Sequence, residues 1–231
     1  MKQKHFCLNL WNPDWQLVRE DNTGKGRLYR AQNGKSFPSV TTVLDWNKKD
    51  SLIAWRKKVG EEQANLISTT AARRGTKLHA VCEAYIQNQT IDPGELDILT
   101  LDLFKSIQPI IDNRLNDVFG IELQMYSEHL GVAGTADCIA KFDGKNAIVD
   151  FKTSSKPKKE EWIDNYFMQT ACYAVMFEER TGICVPNLVV LIAVESSLPQ
   201  LFIQKRDKWI DKAKETINEY YINKMGYAQF I

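Results

Sequence analysis

The sequence predicts an α/β protein: a mixed central β-sheet flanked by helices, with a helical elaboration ahead of it. Three observations carry this. Apolar residues recur at helical spacing through much of residues 39–119. From about residue 120 the chain turns into short segments rich in β-branched and other apolar residues. Helical patterns then stand between and after the strands. With 231 residues, 44% of them hydrophobic and 26% charged, the chain can bury a substantial core. It reads as one domain over 1–231, with the helical part at about 39–119, the sheet core at about 120–205 and a closing helix at about 207–223.

Residues 27–37, with Asn33-Gly34 between basic and aromatic positions, suit a hairpin, and Ser39 to Leu44 then open a helix. From Leu52 to Asn88 the period predicts two helical pieces, the first holding Trp55, Val59, Ala64 and Ile67. The second holds Leu78, Val81, Cys82, Tyr85 and Ile86, with Thr69 or Thr70 as its cap. Residues 95–119 read as an amphipathic helix bent near Pro109. The segments IELQMYSEHL, GVAGTADCIAKF and NAIVDFKTS are strands, the last two joined by an Asp143-Gly144 turn. A helix at about 159–180, strands at 187–195 and 200–204, and the closing helix complete the chain.

Thirty Lys and Arg against 29 acidic residues leave a net charge of +1, so any polyanion-binding surface must be a local patch. The five cysteines, Cys7, Cys82, Cys138, Cys172 and Cys184, are scattered without a C-x-x-C spacing and read as reduced thiols. The N-terminal MKQKHFCLNLWNPDW lacks the apolar run of a secretory signal and carries acidic residues too early for a mitochondrial transit peptide. The expectation is a cytoplasmic protein of a bacterial or virus-infected cell. No stretch approaches the roughly 18 apolar residues of a membrane span, so no membrane association is expected.

The chemistry concentrates in Gly134-Thr135-Ala136-Asp137 on one strand and Asp150-Phe151-Lys152 on the next. Alternation along a strand puts Asp150 and Lys152 on one face and Phe151 on the other. The Asp143-Gly144 turn can bring Asp137 beside Asp150. Two carboxylates on adjacent strands make a hard oxygen site suited to Mg²⁺ or Mn²⁺, to which the Phe151 carbonyl could add a ligand. A lysine beside that site would stabilise the negative charge of a phosphodiester transition state. The same residues could also be the solvated face of a hairpin, but the acids interrupt apolar strands, where an unpaired carboxylate is costly.

Gly75-x-x-x-His79, Gly134-x-x-Asp137, Asp150-x-Lys152 and Gln169-x-x-x-Tyr173 follow one another in the order seen in RecB-like PD-(D/E)XK nucleases, which the sequence resembles from about Phe37 to Tyr173. Within that group it is most similar to mitochondrial genome maintenance exonucleases and related phage exonucleases. The resemblance implies a PD-(D/E)XK core with Asp137 and Asp150 as metal ligands and Lys152 as the catalytic lysine. It brings His79 to the metal from the helical side, and makes Gln169 and Tyr173 contacts to the lysine or to DNA. Glu128, on the strand before the metal Asp, is a further candidate ligand. Arg73, Arg74 and Lys77, and Lys158 in its basic run, are candidate phosphate contacts. The cysteines do not match an iron–sulfur arrangement, and no Walker A motif is present, so a helicase would have to be a partner. The implied function is a metal-dependent DNA exonuclease of replication, repair or recombination, favouring single-stranded or flapped ends. A structure-specific endonuclease of the same fold and a non-catalytic nucleic-acid-binding module are the alternatives.

Overall fold

The computed structural model describes residues 3–6, 16–21, 26–226 and 229. Cys7 and the N-terminal stretch at 7–15 lie outside them, so the readings placed on those residues have no structural counterpart here. The first elements are three short strands, β1 (Leu17–Glu20), β2 (Leu28–Ala31) and β3 (Ser36–Pro38), paired antiparallel in that order. The expected hairpin around Asn33-Gly34 is β2–β3, and β1 is a strand the sequence reading did not foresee. Helix α1 (Val40–Leu44) follows, capped by the Ser39 side chain accepting from the Thr42 amide.

Helices α2 (Lys49–Val59) and α3 (Glu61–Ile86) break at Gly60, whose φ of 88° closes the first helix. The break therefore falls ten residues earlier than Thr70, because the left-handed φ is open to glycine while a threonine is tolerated inside a helix. Helix α4 (Ile98–Arg114) carries Pro109 internally and begins at Asp97, whose side chain accepts from the Thr100 amide. The helical region ends at Arg114, before the expected 119, and the chain passes directly into β4 (Leu115–Ser127).

Strands β4, β5 (Val132–Phe142), β6 (Lys145–Ser154), β7 (Asn187–Val194) and β8 (Gln200–Lys205) form one sheet in chain order. All neighbours are antiparallel except β6 and β7, which run parallel across helix α5 (Asp164–Thr181). Asp143 (φ 50°) and Gly144 (φ 74°) make the tight β5–β6 turn, both in the left-handed region that a two-residue hairpin of type I′ demands. Helix α6 (Ile210–Tyr220) closes the fold.

The sheet separates two apolar cores. Ile148, Leu188, Val190 and Ile192 face α1, α5 and α6, whereas Val149, Phe151, Val189 and Leu191 face α3 and α4. Every residue of β7 is buried, which explains its unbroken apolar run in place of an alternating one. The architecture is the mixed, mostly antiparallel sheet between helices expected from the sequence. A smaller cluster of Tyr29, Ala31, Phe37, Tyr126 and Ala133 joins the three-stranded sheet to β4 and β5. Cys82, Cys138 and Cys172 are buried free thiols and Cys184 is an exposed one. No helix of the described residues is long and apolar enough to cross a membrane.

Candidate metal centre

The register of the sheet lines up three acids. Leu123 pairs with Ala136 and Ile121 with Cys138, which sets Glu122 of β4 opposite Asp137 of β5. The β5–β6 ladder reaches Cys138–Val149, and continuing it by one residue sets Asp137 beside Asp150. At this row the ladder loosens. Glu122 has a φ of 47°, a left-handed conformation uncommon for a residue with a side chain, and such strain gathers at functional sites. The Phe151 amide donates 2.8 Å to Asp137 Oδ2, so a carboxylate serves where a backbone acceptor would otherwise stand.

From the opposite layer α3 lowers His79 onto the row, its Nδ1 3.5 Å from Asp137 Oδ2. Among the described residues, His79, Glu122 and Asp137 form a group whose ligand atoms all lie within 4.8 Å of one another. Asp150, 1% exposed, stands next to this group: Lys152 Nζ donates to its Oδ1 at 2.6 Å and lies 2.5 Å from Oδ2, a buried oxygen that has no hydrogen-bond partner among the described residues. Lys152 Nζ also sits 5.2 Å from the centre of the Tyr166 ring.

Crowded acids raise one another. Burial, with the Asp137 charge added, pushes Asp150 up to about 6 against the pull of Lys152. Glu122 reaches solvent through the cavity, yet surrounding protein and the Asp137 charge push it up to about 7. Burial acts to raise Asp137 as well, but the His79 imidazole, the Lys152 charge and the Phe151 amide outweigh it and hold this carboxyl below the usual range. Burial tends to strip the proton from Lys152, and the Asp150 and Asp137 charges hold it on. His79 likewise is lowered by burial and, more strongly, raised by Asp137. Carboxylates and an imidazole this close, with two acids kept from ionising readily, are a donor set that fits a divalent cation.

The row opens into a cavity of about 600 Å³ lined by Gly75, Thr76, His79, Glu122, Asp137 and Lys152 among others. Gln169 and Tyr173 line it too, the Gln169 amide donating 3.0 Å to the Tyr173 hydroxyl. Gly134 makes room for that tyrosine, since a Cβ there would stand 2.6 Å from Tyr173 Cε1. Gly75 differs: an added Cβ would meet only Thr153 Oγ1, at an ordinary 3.9 Å, so the protein itself does not require glycine there.

Several expected residues lie elsewhere. Glu128 is in the exposed turn after β4, bonded to Lys35 Nζ (2.6 Å) and Asn33, and it takes no part in the acid row. Counting back through the β4–β5 hairpin identifies Glu122 instead, a signal present in the sequence. Arg74 is paired with Glu195 and Lys77 with Asp97 (2.7 Å), while the Lys158 backbone is bracketed by the Gln200 side chain. Arg73 is exposed on α3, and none of these four lines the cavity. Arg19 and Arg27, which the sequence reading passed over, do.

No family model matches the chain. It is 27% identical over 131 residues to mitochondrial genome maintenance exonuclease 1 of Homo sapiens, covering 53% of this chain and 38% of that protein. It is 28% identical over 157 residues to the Mus musculus protein of the same name, covering 62% and 46%. The chain is a distant relative of known exonucleases. Both similarities lie below 30% identity, and the matched segments span less than half the length of those relatives. A solved structure from Eubacterium rectale, provisionally named an exonuclease, shares 16% identity over 66% of this chain and 68% of its own, with a TM-score of 0.42. The cytoplasmic expectation does not stand. The named relatives are mitochondrial proteins, and composition and the absence of an apolar span carry no information about compartment.

Proposed function

We propose that the chain is a divalent-metal-dependent DNA exonuclease of the PD-(D/E)XK type, acting as one nuclease domain on single-stranded or flapped ends in replication, repair or recombination. The observation that carries the reading is the row Glu122, Asp137, Asp150 across three adjacent strands, with His79 above it and Lys152 bonded to its buried member. The exonuclease relatives add to it.

A Mg²⁺ or Mn²⁺ ion bound by Asp137 and Asp150, with His79, Glu122 or the Phe151 carbonyl completing its shell, would supply Lewis acidity and neutralise charge during phosphodiester hydrolysis. Asp137 stays ionised and is oriented by the Phe151 amide. Lys152 keeps its proton and, directed by Asp150 and Tyr166, stabilises the negative charge that develops on the phosphoryl oxygens as water attacks phosphorus and the P–O bond breaks. Gln169 and Tyr173 of α5, in the same lining, offer an amide and a hydroxyl to the strand.

End-labelled linear single-stranded DNA and a covalently closed circle of the same sequence, each with Mg²⁺, Mn²⁺ or EDTA, test the reading. Metal-dependent loss of the linear strand alone is expected. Cutting of the circle would replace the exonuclease with an endonuclease, and no cleavage of either would leave a binding module. Asp137→Ala, Asp150→Ala and Lys152→Ala are each expected to lower the rate by about a thousandfold.

A further inference from the structure

The cavity has a charge problem. Glu83, Glu122 and Asp137 line it, and a nucleic-acid strand entering it is a polyanion. Lys152 is committed to Asp150, and Arg74 and Lys77 on α3 are bound to Glu195 and Asp97. The guanidinium groups in the lining come from the small N-terminal sheet: Arg19 on β1 and Arg27 just before β2.

These two share one counter-ion. Asp21 accepts from Arg19 Nε at 3.0 Å on both oxygens and from Arg27 Nε at 2.7 Å on one, so two cations are held side by side on a single carboxylate with a surplus positive charge. They remain accessible, Arg19 at 40% and Arg27 at 37% side-chain exposure. Asp21 grips each through Nε, whereas the terminal nitrogens form the edge with which arginine reads a phosphate.

Their position is fixed relative to the acid row. The Arg27 amide donates to Thr42 Oγ1 at 3.2 Å, and its carbonyl accepts from the Ser39 amide at 2.9 Å. The Tyr29 hydroxyl meets Thr135 Oγ1 at 3.1 Å, two residues from Asp137, and Ser39 bridges to Ala133 of β5. The Arg19 charge is close enough to Glu122 to oppose the upward push on its carboxyl.

We propose that Arg19 and Arg27, paired by Asp21 at the cavity wall, form a clasp for backbone phosphates of the bound strand. This rests on the nuclease reading for its choice of ligand. An exposed ion-pair cluster contributes little to stability, so loss of the arginines acts on binding and leaves the fold in place.

The test is fluorescence anisotropy of a fluorescein-labelled single-stranded oligodeoxynucleotide in EDTA, which prevents turnover, over a series of salt concentrations. The double variant Arg19→Ala/Arg27→Ala is expected to bind about tenfold more weakly, with the slope of log Kd against log salt reduced by about 0.7 per arginine lost. Arg19→Lys/Arg27→Lys should keep the wild-type slope and recover part of the affinity. A double alanine variant with wild-type affinity and slope overturns the clasp, as does a wild-type protein that does not bind the strand. Wild-type cleavage with Mg²⁺ or Mn²⁺ is scored separately. Cleavage with unchanged variant binding removes the clasp alone. Binding that depends on the arginines without cleavage keeps the clasp and removes the nuclease.

Discussion

Asp150 is buried with its carboxyl pushed up to about 6, well above the value near 4 of an unfolded chain. A carboxyl raised on folding favours the folded state while it holds its proton. Its contribution is complete below about pH 4 and is lost as pH rises through about 6. Glu122, pushed to about 7, adds in the same direction but less, because solvent in the cavity screens it. Metal-free protein is therefore expected to lose stability between about pH 4 and 7 from this row, and a divalent cation to restore it. The rise in Tm on adding Mg²⁺ should be larger at pH 8 than at pH 5, and equal shifts at both would speak against a cation at this site. Gly75 supports a second prediction. Alanine there meets nothing closer than 3.9 Å and removes a helix-interior glycine, so Gly75→Ala should stabilise α3 by up to about 1 kcal/mol in chemical denaturation. The methyl would project into the cavity, so cleavage should fall even as stability rises. At this scale the juxtaposition of Asp137, Asp150 and Lys152 was legible because the Asp143-Gly144 turn sets the β5–β6 register and alternation puts Asp150 and Lys152 on one face. Glu122 was legible only by counting back from Asp137 through the β4–β5 hairpin, because nothing in the IELQMY segment itself singles out the acid.

Element ends show where local signals suffice. Ser39 and Asp97 cap their helices through side-chain oxygens, and Asp143-Gly144 turns the central hairpin, all with residue types that announce the role. Gly60 carried the same kind of signal for the α2–α3 break, but the apolar positions on either side keep helical spacing and masked it. The C-terminus of α4 is closed by something no local pattern reveals. Lys4, buried and more than a hundred residues away in sequence, donates from Nζ to the carbonyls of Ile111 (2.6 Å) and Leu115 (2.8 Å). The Lys4 backbone is in turn held by the Asn88 side chain at the end of α3. A cation on the last carbonyls of a helix satisfies acceptors the helix cannot and opposes its dipole. Lys4→Met keeps the bulk and removes the donors, and is expected to cost about 1–3 kcal/mol in a denaturant titration. A variant as stable as wild type would show that water replaces the ammonium there.

Across the whole molecule, the sheet with a core on each face ranks its strands by protection. β6 lies at the centre of the sheet and β7 is buried along its entire length, whereas β8 is an edge strand with no buried residue. Amide exchange is expected to be slowest in β6 and β7, faster in β8, and faster again in the three-stranded sheet, whose core cluster is small. Uniform protection across both sheets would contradict this ranking. The layered α/β class was legible from pattern switches along the chain. The attachment of the N-terminal sheet to the cavity was not, because it depends on contacts such as Tyr29 with Thr135 that join residues far apart in sequence.

The one parallel pairing in the main sheet also bears on the order of assembly. An antiparallel partner can be delivered by a short turn, but β7 reaches β6 only after the chain has passed through α5, so loop closure must precede that ladder. Until β7 docks, the β6 backbone groups on that edge have no ladder partner and stay hydrated. The strand that carries Asp150 and Lys152 is therefore expected to complete its backbone pairing later than the β5–β6 hairpin beside it.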